Sequence, residues 1–251
     1  GTKLMTKRVA LAGGKALGGI GATPAFIVNR YGKGKAMYTN LSMTKYRSLR
    51  ASGKEAGLRE KIRAILTWAG ARPTVGVTTP GGKPINKLET LRYVAGQSLF
   101  VGYVLDNDTS LAARTTFPRA GHLYDMRVGK YIGQGRSFNI TLPGKDARVV
   151  ALLPYRVTGL GVRVDGAQRG GRALVDVALA ATSQPGLHVC RMDVAGPDGK
   201  IVDALGANIL CRNGRGRGAI PFALNDPTGK YTVSVRDVVT GVTTRTVINL
   251  K

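Results

Sequence analysis

Apolar residues recur at helical spacing in one stretch of this chain and at strand spacing almost everywhere else. Leu58, Ile62, Ile65, Leu66 and Ala69 follow the i, i+3/i+4 rule, which predicts a single helix. Ser52 is its candidate cap, and Gly70 followed by Pro73 supplies the stop. Upstream, Ala25–Val28 and Ala36–Leu41 read as two strands about the turn Tyr31-Gly32-Lys33-Gly34. Strand, turn, strand, loop and helix follow in the order expected of the closing part of an α/β sheet.

From Pro73 onward the helical period disappears. Pro80-Gly81-Gly82-Lys83-Pro84 reads as a linker or turn, and β signals then return at short intervals. Leu88–Ala95, Ser98–Leu105, His122–Met126, Ser137–Leu142 and Arg148–Leu153 are candidate strands, and Pro154-Tyr155 closes their block. A further seven follow: Val157–Val164, Arg172–Ala180, His188–Val194, Ile201–Leu210, Ala219–Leu224, Tyr231–Asp237 and Thr243–Leu250. Seven strands over roughly 95 residues match an immunoglobulin-like sandwich in size and count. Pro-Asp-Gly at 197–199 and Asp-Pro-Thr-Gly at 226–229 are turn chemistry, pairing a fixed φ with a residue that tolerates positive φ. The predicted fold is mainly β: a partial α/β segment over 1–75, a β-sandwich over 76–155 and an immunoglobulin-like β-sandwich over 156–251.

Composition supports folded domains. The 251 residues are 43% hydrophobic and 21% charged, enough to bury a core in each block and unlike a disordered basic tail. The longest apolar runs, such as Val149–Leu153, fall far short of the roughly 20 residues that span a bilayer, so no transmembrane helix is expected. No signal peptide is legible, and the abrupt opening fits one removed or lying upstream.

Charge changes the picture more. The formal net charge is +24, and residues 1–50 carry ten Lys and Arg with no acid. Such a field favours polyanions, whether nucleic acid, acidic polysaccharide, anionic membrane surface or phosphate. A basic proteome or an acidic partner chain would account for the balance equally well, because the basic residues are scattered. The sharpest basic string is Arg212-Asn213-Gly214-Arg215-Gly216-Arg217-Gly218. Its alternating Arg and Gly resemble segments that follow a nucleic-acid backbone, although an exposed hairpin loop is the plainer account. Arg212, Arg215 and Arg217 are therefore anion-binding candidates, with Lys33 and Lys35 at the first turn beside them. Aromatic residues are too few to build a base-stacking platform.

Catalytic groups are hard to find. There is no Gly-x-Ser-x-Gly elbow and no His-Glu-x-x-His. His122 and His188 each read as satisfied structural histidines, and a reaction using His122 with Asp125 would still lack a nucleophile. Asp106 and Asp108 sit in an ordinary loop without the spacing of a helix-loop-helix calcium motif. The glycines at 13, 14, 18, 19 and 21 fit a tight turn better than a phosphate loop. No cofactor and no metal site are expected, and no catalytic site within these residues. Cys190 and Cys211 are the only cysteines. If both lie on strands, both thiols point inward. A simple hairpin about Pro197-Asp198-Gly199 would set Cys190 opposite residue 205, not 211, so the pair reads as two buried free thiols unless a bulge resets the register and allows a disulfide.

Several strings together resemble a known family. Tyr31–Leu41, then Tyr46, then the helix with Leu66, Ala69, Gly70 and Pro73, resemble the end of a glutamine-amidotransferase-like α/β domain. In catalytically dead form that domain is the trimerisation domain of β-galactosidase-type glycoside hydrolases. Gly121-His122-Leu123-Tyr124-Asp125-Met126-Arg127, Gly129–Gly133 and Ala151–Tyr155 look like the β-sandwich that follows it. Asn225–Val233 and Asp237–Gly241 are similar to a bacterial immunoglobulin-like end domain. Two departures matter: the parallel sheet and helices expected before residue 25 are absent, and so is the hydrolase barrel with its catalytic carboxylates. The resemblance therefore implies a non-catalytic accessory region of a larger carbohydrate-active or cell-envelope protein, serving packing, oligomerisation or ligand presentation. It implies as partners the other domains of a parent polypeptide, a second copy of the chain or a polysaccharide, with nucleic acid as the alternative. It also implies a secreted or cell-envelope setting.

Overall fold

The computed structural model describes residues 5, 6 and 8–251, and the chain divides into two compact units, Gly1–Pro73 and Thr74–Lys251. The first unit opens with an antiparallel meander of β1 (Lys15–Ile20), β2 (Thr23–Tyr31) and β3 (Gly34–Thr39). The predicted strand at 25–28 is the middle of β2, and the one at 36–41 overlaps β3 over 36–39 and overruns its end by two residues. β1 arises where the glycines suggested only a turn. A Cβ on Gly14 would lie 2.6 Å from Ile27 Cγ2, and one on Gly19 would lie 2.7 Å from the Thr23 carbonyl oxygen. Those glycines let the edge strand approach its neighbour, at the cost of every strand-forming signal. Asn40, fully buried, ties the meander together by donating to the carbonyls of Thr6 and Pro24 and accepting from the Thr6 N–H.

Two helices follow, α1 (Tyr46–Ala51) and α2 (Ala56–Ala69). The predicted helix is α2, and its stop is correct: Gly70 takes φ +94° and donates to the Thr67 carbonyl, while Ala71 donates to Leu66. The start differs. Ser52 ends α1 instead of capping α2, with its backbone N–H and its hydroxyl both bonded to the Ser48 carbonyl. The helical pattern from Leu58 to Ala69 lies wholly in α2, and Gly53 at φ +68° separates that helix from α1.

In the second unit one sheet runs in the order β4-β7-β9-β6-β5, with β8 paired to β7. Its strands are β4 (Gly76–Thr78), β5 (Leu88–Ala95), β6 (Ser98–Leu105), β7 (Leu111–Asp125), β8 (Lys130–Leu142) and β9 (Ala147–Leu153). Alternate residues of β6, β7 and β8, including Val101, Tyr103, Phe117 and Leu142, bury against Val150 and Leu152. β7 is far longer than the predicted 122–126. It passes through Pro118 because the β7–β8 register breaks between Thr116 and Gly121, a break that relieves the proline of its ladder hydrogen bond.

The other sheet has seven antiparallel strands in the order β10-β11-β14-β13-β12-β15-β16. They are β10 (Val157–Asp165), β11 (Arg172–Ala181), β12 (His188–Ala195), β13 (Ala207–Arg212), β14 (Arg215–Pro221), β15 (Gly229–Asp237) and β16 (Thr243–Leu250). β10 and β16, at opposite ends of this order, come back into contact, so the sheet wraps around one core of Val175, Met192, Ile209, Ile220, Val233 and Val235. Tyr124 from β7 and Ala151 and Leu153 from β9 join the same core. The chain is mainly β, as its sequence pattern predicts.

Candidate functional site

The Arg-Gly string is a hairpin. Asn213 and Gly214 both adopt positive φ, +52° and +80°, as the tightest two-residue hairpin turn demands. Arg212 therefore faces Arg215 across the ladder. Beyond the turn, alternation does the rest: Arg215 and Arg217 point outward while Gly216 and Gly218 point into the module. A Cβ on Gly216 would sit 2.5 Å from Cys211 Sγ, and one on Gly218 would sit 2.8 Å from Ile209 Cδ1. The glycines are there because side chains of β13 fill the space beneath them.

These arginines border a shallow trough of about 760 Å³ on the outer face of β10, β11, β14 and β13. Its floor is small, formed by Gly161, Ala178 and Gly216. Its cations are Arg163, Arg212, Arg215 and Arg217. The ladder explains the grouping: one rung runs Arg163, Asp176, Arg217, and the next runs Gly161, Ala178, Arg215, Arg212. On the first rung Arg217 Nε donates to Asp176 at 2.8 Å, and Arg163 Nε reaches Asp165 at 2.9 Å. Among the described residues no carboxylate lies within ion-pair distance of Arg212 or Arg215. Sequence reasoning missed Arg163, whose place beside the other three follows only from strand order.

Lys33 and Lys35 belong to the other compact unit. Lys35 Nζ donates to the Trp68 carbonyl at 3.0 Å and lies 5.5 Å from the centre of the Trp68 ring. A cation at the last turn of α2 complements the helix dipole and stacks on the indole, so this lysine holds α2 to the β2–β3 hairpin.

The two histidines differ. His188, 1% exposed, accepts from the Tyr155 hydroxyl at Nε2 (2.9 Å) and donates from Nδ1 to Asp237 Oδ1 (2.9 Å) when its Nδ1 tautomer is assigned. The second oxygen of Asp237 accepts from the Thr240 N–H and hydroxyl, and Tyr155 Oη accepts from the Gly186 N–H. The network is sealed in the core. Burial first, and the Asp237 charge among lesser effects, raise the Tyr155 hydroxyl above the usual tyrosine range. His122 instead bonds Tyr131 Oη at 3.0 Å, and the Arg156 guanidinium lies 4.8 Å from the same ring. Asp125 turns elsewhere, pairing with Arg148 at 2.7 Å and accepting from the Arg127 N–H at 3.0 Å. The His122–Asp125 dyad weighed from sequence is not brought together. Asp108 pairs with Lys145, and among the described residues no three His, Cys, Asp or Glu side chains are grouped so as to hold a metal ion.

Cys190 and Cys211 are free and fully buried, with their Sγ atoms 3.5 Å apart. Cys190 pairs with Ile209, four residues beyond the position a simple hairpin would give, because Asp203–Leu205 form a turn of 3-10 helix in the connection.

No family model matches the chain, and no curated protein matches it. Several solved structures resemble it in part. A β-galactosidase from Bacillus circulans sp. alkalophilus shares 16% identity at a TM-score of 0.39, over 56% of this chain and 18% of that one. A rhamnosidase from Novosphingobium sp. PP1Y shares 12% at 0.26, over 65% and 22%. A β-glucuronidase from Ruminococcus gnavus shares 11% at 0.24, over 61% and 35%. The chain thus spans about a third or less of the length of each of these structures.

Proposed function

We propose that this chain is a non-catalytic accessory region of a larger carbohydrate-active or cell-envelope polypeptide, and that its contribution is a binding face for anionic polymer. The observation that carries the reading is the pair of uncompensated guanidiniums, Arg212 and Arg215, presented by a rigid turn at the edge of the trough. A planar guanidinium binds carboxylate, sulfate or phosphate through two parallel hydrogen bonds, and the +24 field would steer such ligands toward the protein. The floor of Gly161 and Ala178 leaves the trough open along the sheet, which suits an extended chain better than a compact ligand. Support for the non-catalytic part comes from the acid–base groups, each held by neighbours: His188 by Tyr155 and Asp237, His122 by Tyr131, Asp125 by Arg148. The family resemblance read from residues 31–73 and 121–155 supports the accessory role.

The test is binding of a carboxylated or sulfated polysaccharide, with duplex and single-stranded nucleic acid in parallel, as salt rises from about 50 to about 300 mM. The Arg212→Ala, Arg215→Ala double variant should weaken binding and flatten the log–log salt slope by about one unit per lost contact. An unchanged slope would remove the trough from the site. Nucleic acid bound more tightly than the acidic glycan at physiological salt would assign the face to nucleic acid. Turnover of a glycoside panel that disappears in His122→Ala would overturn the non-catalytic reading.

A further inference from the structure

The barrel-like core contains two nucleophilic groups that the proposed binding face does not use. Cys190 and Cys211 are the only cysteines in 251 residues, and both are fully buried. The β12–β13 register pairs Cys190 with Ile209 and Cys211 with His188, so the two thiols lie diagonally on one face of adjacent strands. Their sulfurs are 3.5 Å apart, in contact with each other. A disulfide bond is about 2.0 Å long, so the two sulfurs must close by about 1.5 Å between them. Gly216, opposite Cys211, keeps that space free, since any Cβ there would collide with Sγ.

We propose that Cys190 and Cys211 are joined by a disulfide in the mature protein, formed by exchange with a small-molecule or protein disulfide as β12 and β13 pair. One cysteine thiolate attacks a sulfur of the oxidant and expels its first thiolate, giving a mixed disulfide. The second cysteine thiolate then attacks the protein sulfur of that mixed disulfide and expels the other. The Cys190–Cys211 bond forms, the oxidant's S–S bond is reduced by two electrons, and the two cysteine protons end on the departing thiols. The exchange belongs to folding rather than to the finished fold. Once the core closes, its hydrogen bond with Cys211 and then burial push the Cys190 thiol far up. A buried pair in that state is out of reach of an oxidant. The bond would also place maturation in an oxidising compartment. This inference rests on the core geometry alone and stands or falls separately from the arginine face.

The experiment is refolding of the full chain from urea in a buffer of reduced and oxidised glutathione, followed by alkylation under denaturing conditions. The expected result is a monomer lighter by two hydrogens, whose thiols react only after a reductant is added. Its Tm should fall by about 6–12 °C on reduction, as expected for closing a loop of this size in a module of this length. The Cys190→Ala, Cys211→Ala double variant should melt at one temperature with and without reductant. Two thiols that alkylate without reductant after oxidative refolding would overturn the proposal, as would disulfide-linked dimers. If the double variant does not fold, the thiol count of the native sequence decides alone.

Discussion

Asp237 and His122 show how environment sets the worth of a single titratable residue. Asp237 is wholly enclosed, and its two oxygens accept from His188, the Thr240 N–H and the Thr240 hydroxyl. Removing it leaves three buried donors without a partner, so Asp237→Ala should cost about 3–5 kcal/mol in urea unfolding. Asp237→Asn keeps an acceptor for His188 and should cost clearly less. A loss below about 1 kcal/mol for the alanine variant would mean that the core relaxes around the gap. His122 is a milder case. Partial burial, then the nearby Arg156 charge, hold its ring below the usual histidine range. The unfolded chain therefore binds the extra proton first as pH falls. Stability contributed by neutral His122 is present above the ordinary histidine value and is lost on acidification below about pH 6.5. The urea midpoint should drop between about pH 7.5 and pH 5.5, and His122→Gln should shrink that drop. An identical drop in the variant would assign it to other groups.

At the scale of elements, the β13–β14 hairpin separates what holds the fold from what faces solvent. Gly216→Ala would force a Cβ against Cys211 Sγ and against Ile209 Cγ2 at 2.9 Å, and should destabilise the chain by about 1–3 kcal/mol. Arg215→Ala, one residue away and exposed, should stay within about 0.5 kcal/mol. Equal losses from the two would mean that the arginine carries structure. This hairpin is also where the sequence misleads most. Glycine is a poor strand former and arginine carries no apolar alternation, so 212–218 reads as a loop between predicted strands over 201–210 and 219–224. In fact the ladder runs straight through, because the turn and the filled space under β14 decide the conformation. β5, β6 and β16 keep their predicted bounds, since turn residues punctuate each of them: Asn86, Gly96, Asp106–Asp108 and Gly241. Three arginines of the candidate face were legible as a string. Arg163 was not, because chain order says nothing about which strand lies beside which. Nor were the partners of His188, which come from 33 and 49 residues away.

At the scale of the molecule, the second unit spans both β blocks that the turn pattern divides at residue 155. Within it Tyr124, Ala151 and Leu153 bury in the same core as Val175 and Val233, and the Tyr124 hydroxyl accepts from the Val157 N–H at 2.9 Å. The blocks also touch backbone to backbone. Gly129, in the β7–β8 turn, and Gly241, in the β15–β16 turn, both hold positive φ, and a Cβ on Gly241 would lie 2.4 Å from Gly129 Cα. Backbone atoms cannot swing aside as a long side chain can, and φ +76° at Gly241 adds strain for any other residue. Gly241→Ala must therefore part the two turns or distort both, at a cost of about 2–3 kcal/mol. In a unit of this length that predicts a Tm lower by about 4–12 °C. Because the first sheet lends Tyr124, Ala151 and Leu153 to the second sheet's core, the loss should move a single transition of Thr74–Lys251 as a whole. Calorimetry of the full chain would check it. A Tm that stays put would mean the turns part freely, and one transition splitting into two would mean that each sheet melts on its own.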